Sequence, residues 1–210
     1  MLSVICPIYN EAKYIDVCVQ SILLQDYPKQ QLEVLFVDGM SKDGTRDIVN
    51  NYSKQYPFIR LLNNEKRIVP VAMNIGIKAS IGDIVMRLDA HAQYPPNYFS
   101  VLVKELVRLR ADNVGVACKT DVLNKTSKTL AIREVLSNRF GVGNSTFRLG
   151  VDKVIEVDTV PFGCWKKDVF NKYGFYDERL IRNQDIELNK RIVRGGGHIF
   201  IVPDTYCTYL

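Results

Sequence analysis

Asp89 and His91 stand two positions apart in Arg87-Leu88-Asp89-Ala90-His91, directly after a short apolar run. Where a chain turns at a strand end, side chains at i and i+2 can flank one point. A carboxylate and an imidazole there can hold a divalent cation that grips diphosphate oxygens and neutralises a leaving group. The competing reading of His91 is a partly exposed loop histidine. Three further clusters carry suitable groups. In Pro7-Ile8-Tyr9-Asn10-Glu11, Pro7 ends a strand, Tyr9 offers a flat ring for a base, and Glu11 brings a carboxylate; an ordinary turn with Asn10 or Glu11 as helix cap is the alternative. In Val37-Asp38-Gly39, Asp38 can accept hydrogen bonds from a nucleobase or a ribose, whereas Ser41 and Asp43 are better explained as helix caps. In Arg182-Asn183-Gln184-Asp185-Ile186-Glu187, Asp185 is either an N-cap worth ~1 kcal/mol or a general base. Glu187, His198 and Trp165 read as structural.

These residues need elements to hold them. Apolar runs predict strands at Leu2–Cys6, Leu32–Val37, Ile59–Leu62 and Ile84–Leu88. Amphipathic stretches between them predict helices at Tyr14–Leu24, Thr45–Tyr56 and Val69–Ala79, and a fourth follows at Asn97–Arg110. Strand and helix alternating at this spacing imply βαβ units and a parallel sheet covered on both faces. Ligands in such sheets bind at the carboxyl ends of the strands, where Pro7, Asp38 and Asp89 all fall. Beyond Arg110 the expected strands are Val114–Ala117, Val154–Val160 and Ile199–Val202. Helices are expected at Thr129–Asn138, Asp168–Tyr173 and Asp185–Arg194, and a mobile loop at Gly141–Gly150. With no repeat and no Pro/Gly/Ser-rich linker, the 210 residues read as one domain of two joined halves.

Composition narrows the function classes. The net charge of +5 is small and scattered, and no Lys/Arg tract exists, so nucleic acid is not an expected partner. That excess suits an anionic substrate or the negative face of a membrane. Five cysteines without metal-ligand spacing read as reduced, buried thiols, and no apolar stretch reaches the ~20 residues that span a bilayer. A cytoplasmic location is the expectation. The first turn lacks GxGxxG, no GxxxxGK[ST] occurs, and Pro7–Glu11 is no glycine-rich basic phosphate loop. Dehydrogenase, P-loop and nucleotidyltransferase chemistries are therefore disfavoured.

Taken in order, Val4–Glu11, Val37–Thr45, Asp89-Ala90-His91 and Asn183–Leu188 resemble the family 2 glycosyltransferases of the GT-A fold, over nearly the whole chain. Arg67-Ile68-Val69-Pro70, Ala72-Met73-Asn74, Asp89–Pro95 and Val157–Gly163 add a likeness to the glucosyltransferases of succinoglycan-type exopolysaccharide synthesis. The resemblance implies a Rossmann-like, mostly parallel sheet with helices on both faces, a nucleotide-binding half over about 1–95, and a smaller acceptor-binding half over about 96–210. It implies inverting transfer from a nucleoside-diphosphate sugar, a UDP-sugar such as UDP-glucose, to a glycan or lipid-linked acceptor. Pro7, Tyr9, Glu11, Asp38, Arg67 and Asp89 would bind the donor. Asp89 and His91 would hold Mn2+ or Mg2+, and Asp185 would be the base, at the inner face of a cell membrane. Two positions depart from the family pattern: His91 replaces the second aspartate of DxD, and Gln184 replaces the glutamate before the base. Imidazole is a softer ligand than carboxylate, which bears on metal preference. The alternative function is a non-catalytic binding module of the same fold. Relatives continue past the point matching Leu210, so a longer protein is expected.

Overall fold

The computed structural model describes residues 1–121, 126, 127, 130, 131, 134, 135 and 150–209. The expected helix at Thr129–Asn138 and loop at Gly141–Gly150 fall largely outside them. The first half follows the βαβ expectation: β1 (Leu2–Ile8), α1 (Ile15–Leu23), β2 (Leu32–Asp38), α2 (Thr45–Gln55), β3 (Ile59–Asn63), α3 (Val69–Ala79) and β4 (Ile84–Arg87). The second half holds β5 (Ala92–Gln93), α4 (Tyr98–Arg108), β6 (Asn113–Thr120), β7 (Ile155–Glu156), β8 (Cys164–Lys166), α5 (Val169–Tyr173), α6 (Gln184–Arg194) and β9 (Ile199–Tyr209).

All described strands join one sheet in the order β3-β2-β1-β4-β8-β6-β9-β5, with β7 also paired to β9. The run β3-β2-β1-β4 is parallel, as is β6 with β9; β8 lies antiparallel between β4 and β6. Helices cover both faces, and alternation along β1 shows how. Leu2, Val4, Cys6 and Ile8 point into a core shared with Ile15 and Val19 of α1, Val49 of α2 and Leu102 of α4. Ile5 points the other way, into a core with Met73 of α3, Phe170 of α5 and Leu188 of α6. Trp165 belongs to this second core, and all five cysteines are buried thiols outside any disulfide, as expected.

Three local readings change. The strand expected at Val154–Val160 is only Ile155–Glu156. The last strand runs on to Tyr209 through a register shift opposite Val116 and Ala117. Ser41 does not cap α2: it bonds to Asp38, while Asp43 accepts from the Thr45 N–H at 3.1 Å.

Candidate active site

The parallel strands deliver their carboxyl ends to one edge, and a cleft of about 120 Å3 opens there. Pro7, Tyr9, Glu11, Arg67, Asp89 and His91 all line it. Three larger depressions, of about 410, 470 and 400 Å3, lie elsewhere, and none of them is lined by Glu11, Arg87, Asp89 or His91. Backbone strain concentrates around this edge. Of the six non-glycine residues at positive φ among the described residues, Asn10, Met40 and Arg67 sit in its loops, Phe162 underlies Arg87, and Asn183 precedes Asp185; Arg110 is remote. Such conformations cost of order 1–3 kcal/mol each and cluster at functional sites.

The charged centre is Arg87, the last residue of β4. Its side chain is 6 % exposed and lies over the Phe162 ring. Nη1 donates to both carboxylate oxygens of Asp185 at 2.6 and 2.7 Å, and Nε and Nη2 donate to Oδ1 of Asp89 at 3.2 and 3.1 Å. One guanidinium thus ties together residues 96 positions apart. Burial opposes its charge, but Asp185 and then Asp89 override that and hold its pKa well above the usual value. Asp185 is raised, first by burial and further by Asp89, while Arg87 pulls it down. The Tyr176 hydroxyl also donates to Asp185 Oδ1, at 3.2 Å. Asp185 lies in the first turn of α6, whose N-cap is Asn183, so the capping alternative falls away.

Asp89 is pinned by its backbone: its N–H donates to the Tyr94 hydroxyl at 2.8 Å, and that hydroxyl donates back to its carbonyl at 3.1 Å. Its Oδ2 accepts no hydrogen bond among the described residues. His91 is held at both ring nitrogens, Nδ1 at 3.1 Å from Glu11 Oε1 and Nε2 at 2.5 Å from the Tyr209 hydroxyl. Glu11 raises the His91 pKa, against the effect of burial, with Asp89 adding to the rise. With neutral imidazole, a proton on Nδ1 facing Glu11 leaves the Nε2 lone pair toward Tyr209, as in histidines whose carboxylate partner readies them for a metal. No cluster of three metal-ligating side chains exists among the described residues. A cation held by Asp89 and His91 alone would have to complete its coordination sphere with ligands from outside the protein.

Asp38 is placed differently from its neighbours in the expected set. Its side chain is fully buried, accepting from the Ser41 N–H at 3.0 Å, from Ser41 Oγ and from Arg46 Nη1, so it organises the β2–α2 turn. Gly39, next to it, packs so close to Tyr9 that a Cβ would come within 3.0 Å of the ring. Glu187 pairs with Arg191, and His198 with Glu156, both away from the cleft. Arg87, Tyr176 and Tyr209 had no role assigned from sequence. For Arg87 a signal existed: a charge ending the buried run Ile84-Val85-Met86 must find a partner.

A family model described as "Glycosyl transferase family 2" matches residues 3–174. The chain is 29 % identical over 213 residues to a dolichyl N-acetyl-alpha-D-glucosaminyl phosphate 3-beta-D-2,3-diacetamido-2,3-dideoxy-beta-D-glucuronosyltransferase of Methanococcus voltae, covering 99 % of this chain and 66 % of that protein. It is 29 % identical to the succinoglycan biosynthesis protein ExoA of Rhizobium meliloti, covering 98 % and 62 %. Among solved structures it resembles S. aureus TarS with UDP-GlcNAc (TM-score 0.75, 19 % identity, 100 % of this chain and 58 % of that one). It also resembles the mannosyltransferase PcManGT of Pyrobaculum calidifontis with GDP-Man and Mn2+ (TM-score 0.73, 23 % identity, 99 % and 56 %). The chain spans just under two thirds of the length of these curated relatives. The architecture is that of the GT-A glycosyltransferases, and the chain belongs to glycosyl transferase family 2.

Proposed function

We propose that this chain transfers a sugar, with inversion, from a nucleoside-diphosphate donor to a hydroxyl of a glycan or lipid-linked acceptor. One observation carries the reading: Arg87 joins Asp89, at the cleft, to Asp185 in a single ion-pair network. The similar structures with UDP-GlcNAc and GDP-Man support a nucleotide-sugar donor, for which a UDP-sugar is our choice. The dolichyl-phosphate-named relative supports a lipid-linked acceptor, and hence action at the inner face of a membrane. No helix among the described residues is long and apolar enough to cross one.

In this mechanism Tyr9, Pro7 and Arg67 hold the nucleoside in the half over about 1–95, and Asp38 supports them by fixing the turn on which Gly39 meets Tyr9. The half over about 96–210 presents the acceptor. Asp185 takes the proton of the acceptor hydroxyl; that oxygen bonds to the anomeric carbon from the face opposite the diphosphate, and the carbon–oxygen bond to the diphosphate breaks. Arg87 and Tyr176 aim the carboxylate and leave Oδ2 the less crowded oxygen for the incoming proton. A divalent cation, Mn2+ or Mg2+, held by Asp89 and by His91 Nε2 once Tyr209 turns aside, would supply charge neutralisation for the departing diphosphate. Glu11 keeps His91 in the tautomer that this requires.

The test is transfer from a panel of UDP-sugars with Mn2+, alongside nucleotide binding. Asp185→Asn should lower turnover by about 10²–10⁴-fold while UDP affinity stays near wild type. Near-normal turnover of that variant would remove Asp185 as the base.

A further inference from the structure

Asn74 sits in the middle of α3, 4 % exposed, among the buried side chains of Val71, Met73 and Ile77. Asparagine is a weak helix former, and its amide is costly to bury unless the polar atoms find partners. Here they do. Oδ1 accepts from the Tyr176 N–H at 3.0 Å, and Nδ2 donates to the Tyr176 carbonyl at 2.9 Å and to Glu178 Oε1 at 3.1 Å. These partners fix the way the amide faces, because turning it over would set Oδ1 against a carbonyl and a carboxylate. Among the described residues, nothing else is hydrogen-bonded to the Tyr176 backbone. The ring of Tyr176 is packed as well, with Trp165 edge-on at 6.5 Å and Phe170 stacked at 6.5 Å. With backbone and ring both held, the Tyr176 hydroxyl meets Asp185 Oδ1 at 3.2 Å.

We propose that Asn74 is a positioning residue for the base: by holding the Tyr176 backbone it sets the Tyr176 hydroxyl against one oxygen of Asp185 and leaves the other to take the acceptor's proton. The inference rests on the reading of Asp185 as the base. The two partners of that carboxylate differ in kind. Arg87 pairs with both oxygens and gives neither a preference. Tyr176 touches Oδ1 alone and supplies the asymmetry. Its bond is already at the long end for an O–H···O contact, so a small drift of Tyr176 ends it. The grip on Tyr176 therefore matters, and the buried amide is what provides it. Lys66 also reaches the segment, at 3.0 Å from Glu178 Oε2, but its side chain is 68 % exposed, and such a pair adds little. From the other side, Arg191 of α6 takes the carbonyls of Tyr173 and Phe175 but not that of Tyr176.

Steady-state UDP release from a panel of UDP-sugars with Mn2+, water serving as acceptor, tests this alongside NMR of protein carrying 13C at tyrosine Cζ. Tyr176→Phe should lower kcat about tenfold with the donor KM near wild type, and Asn74→Ala should do the same. The double variant should be no slower than either, because both changes act through one hydroxyl. In the spectrum, the line that Tyr176→Phe removes should shift in Asn74→Ala. A loss of about a hundredfold in the double variant, the product of two independent effects, overturns the inference. So does a raised KM at unchanged kcat in Asn74→Ala, which assigns Asn74 to the donor loop instead. Tyr176→Phe keeps its ring in the core and serves even if Asn74→Ala fails to fold: a wild-type kcat there means that the hydroxyl does nothing for the base, and the inference falls. Wild type that releases UDP from none of the sugars overturns the proposed function, and the spectrum then decides whether Asn74 sets the hydroxyl: a Tyr176 line that stays in place overturns that too.

Discussion

Arg87 bonds to both oxygens of Asp185 and to one of Asp89, so a change there is felt by two carboxylates together. Asp185 is already raised by burial and by Asp89, and Arg87 is what pulls it back. Arg87→Met removes that pull. A base works only when ionised, so the acid limb of kcat should move to higher pH in the variant. The same change leaves two mostly buried carboxylates facing each other, and urea unfolding should show a loss of about 3 kcal/mol. Arg87→Lys should restore part of each effect, because one ammonium cannot reproduce the fork that reaches both partners. An acid limb that stays in place in the Met variant would detach Arg87 from the base. Much of this residue pattern was legible beforehand. Tyr9, Glu11, Asp89 and His91 announce themselves by type and strand-end position, and the structure brings all four to one cleft. Contacts between distant positions were not legible. The His91–Tyr209 hydrogen bond spans 118 residues, and nothing in the local sequence around Tyr209 marks it.

At the scale of elements, α3 decides how the Arg67 loop meets the sheet, and Gly76 decides how close α3 lies. A Cβ at Gly76 would come within 2.5 Å of Ile5 Cγ2 in the centre of β1. Helix propensity alone says that alanine there stabilises by about 1 kcal/mol. Overpacking a filled core says the opposite, a loss of about 1–3 kcal/mol, and the contact distance makes the second effect win. Gly76→Ala should lower the urea midpoint at unchanged m, and UDP affinity should fall with it because α3 carries the donor loop. A raised midpoint would mean that α3 sits further from β1. Elements of this kind are also the ones that sequence reveals best. β1, β2 and β4 are buried along nearly their whole length and read as mainly apolar runs, and the helices between the strands keep a 3.6-residue stripe, so β1 to β4 fall within two residues of expectation. The second half lacks such signals. β5 and β8 have two and three residues, too short for any periodicity. β9 continues through Pro203, where a chain would ordinarily stop, because the register shift leaves Pro203–Thr205 without partners on β6.

For the whole molecule, the candidate cation site and the stability of the fold are coupled through His91, and the two couplings have opposite signs. Without metal, protonated His91 is held by Glu11 and its pKa is raised. Its contribution to stability is fully present below the unfolded value of about 6.5 and is lost as pH rises through the folded value. With metal, the imidazole must be neutral to ligate, so stabilisation by Mn2+ grows over that same pH interval. Ligand that binds only the folded chain adds about 2.7 kcal/mol at a hundredfold excess over Kd. For a domain of this size that corresponds to about 5–10 °C in Tm. Thermal melts with UDP and Mn2+ should therefore show a Tm increment that increases with pH, against an apo contribution from His91 that declines. His91→Ala should flatten both trends, and Asp89→Asn should abolish the increment while keeping the part of the apo slope that Glu11 sets. An increment of the same size on either side of the His91 titration would mean that His91 is no ligand, leaving Asp89 to meet the cation alone.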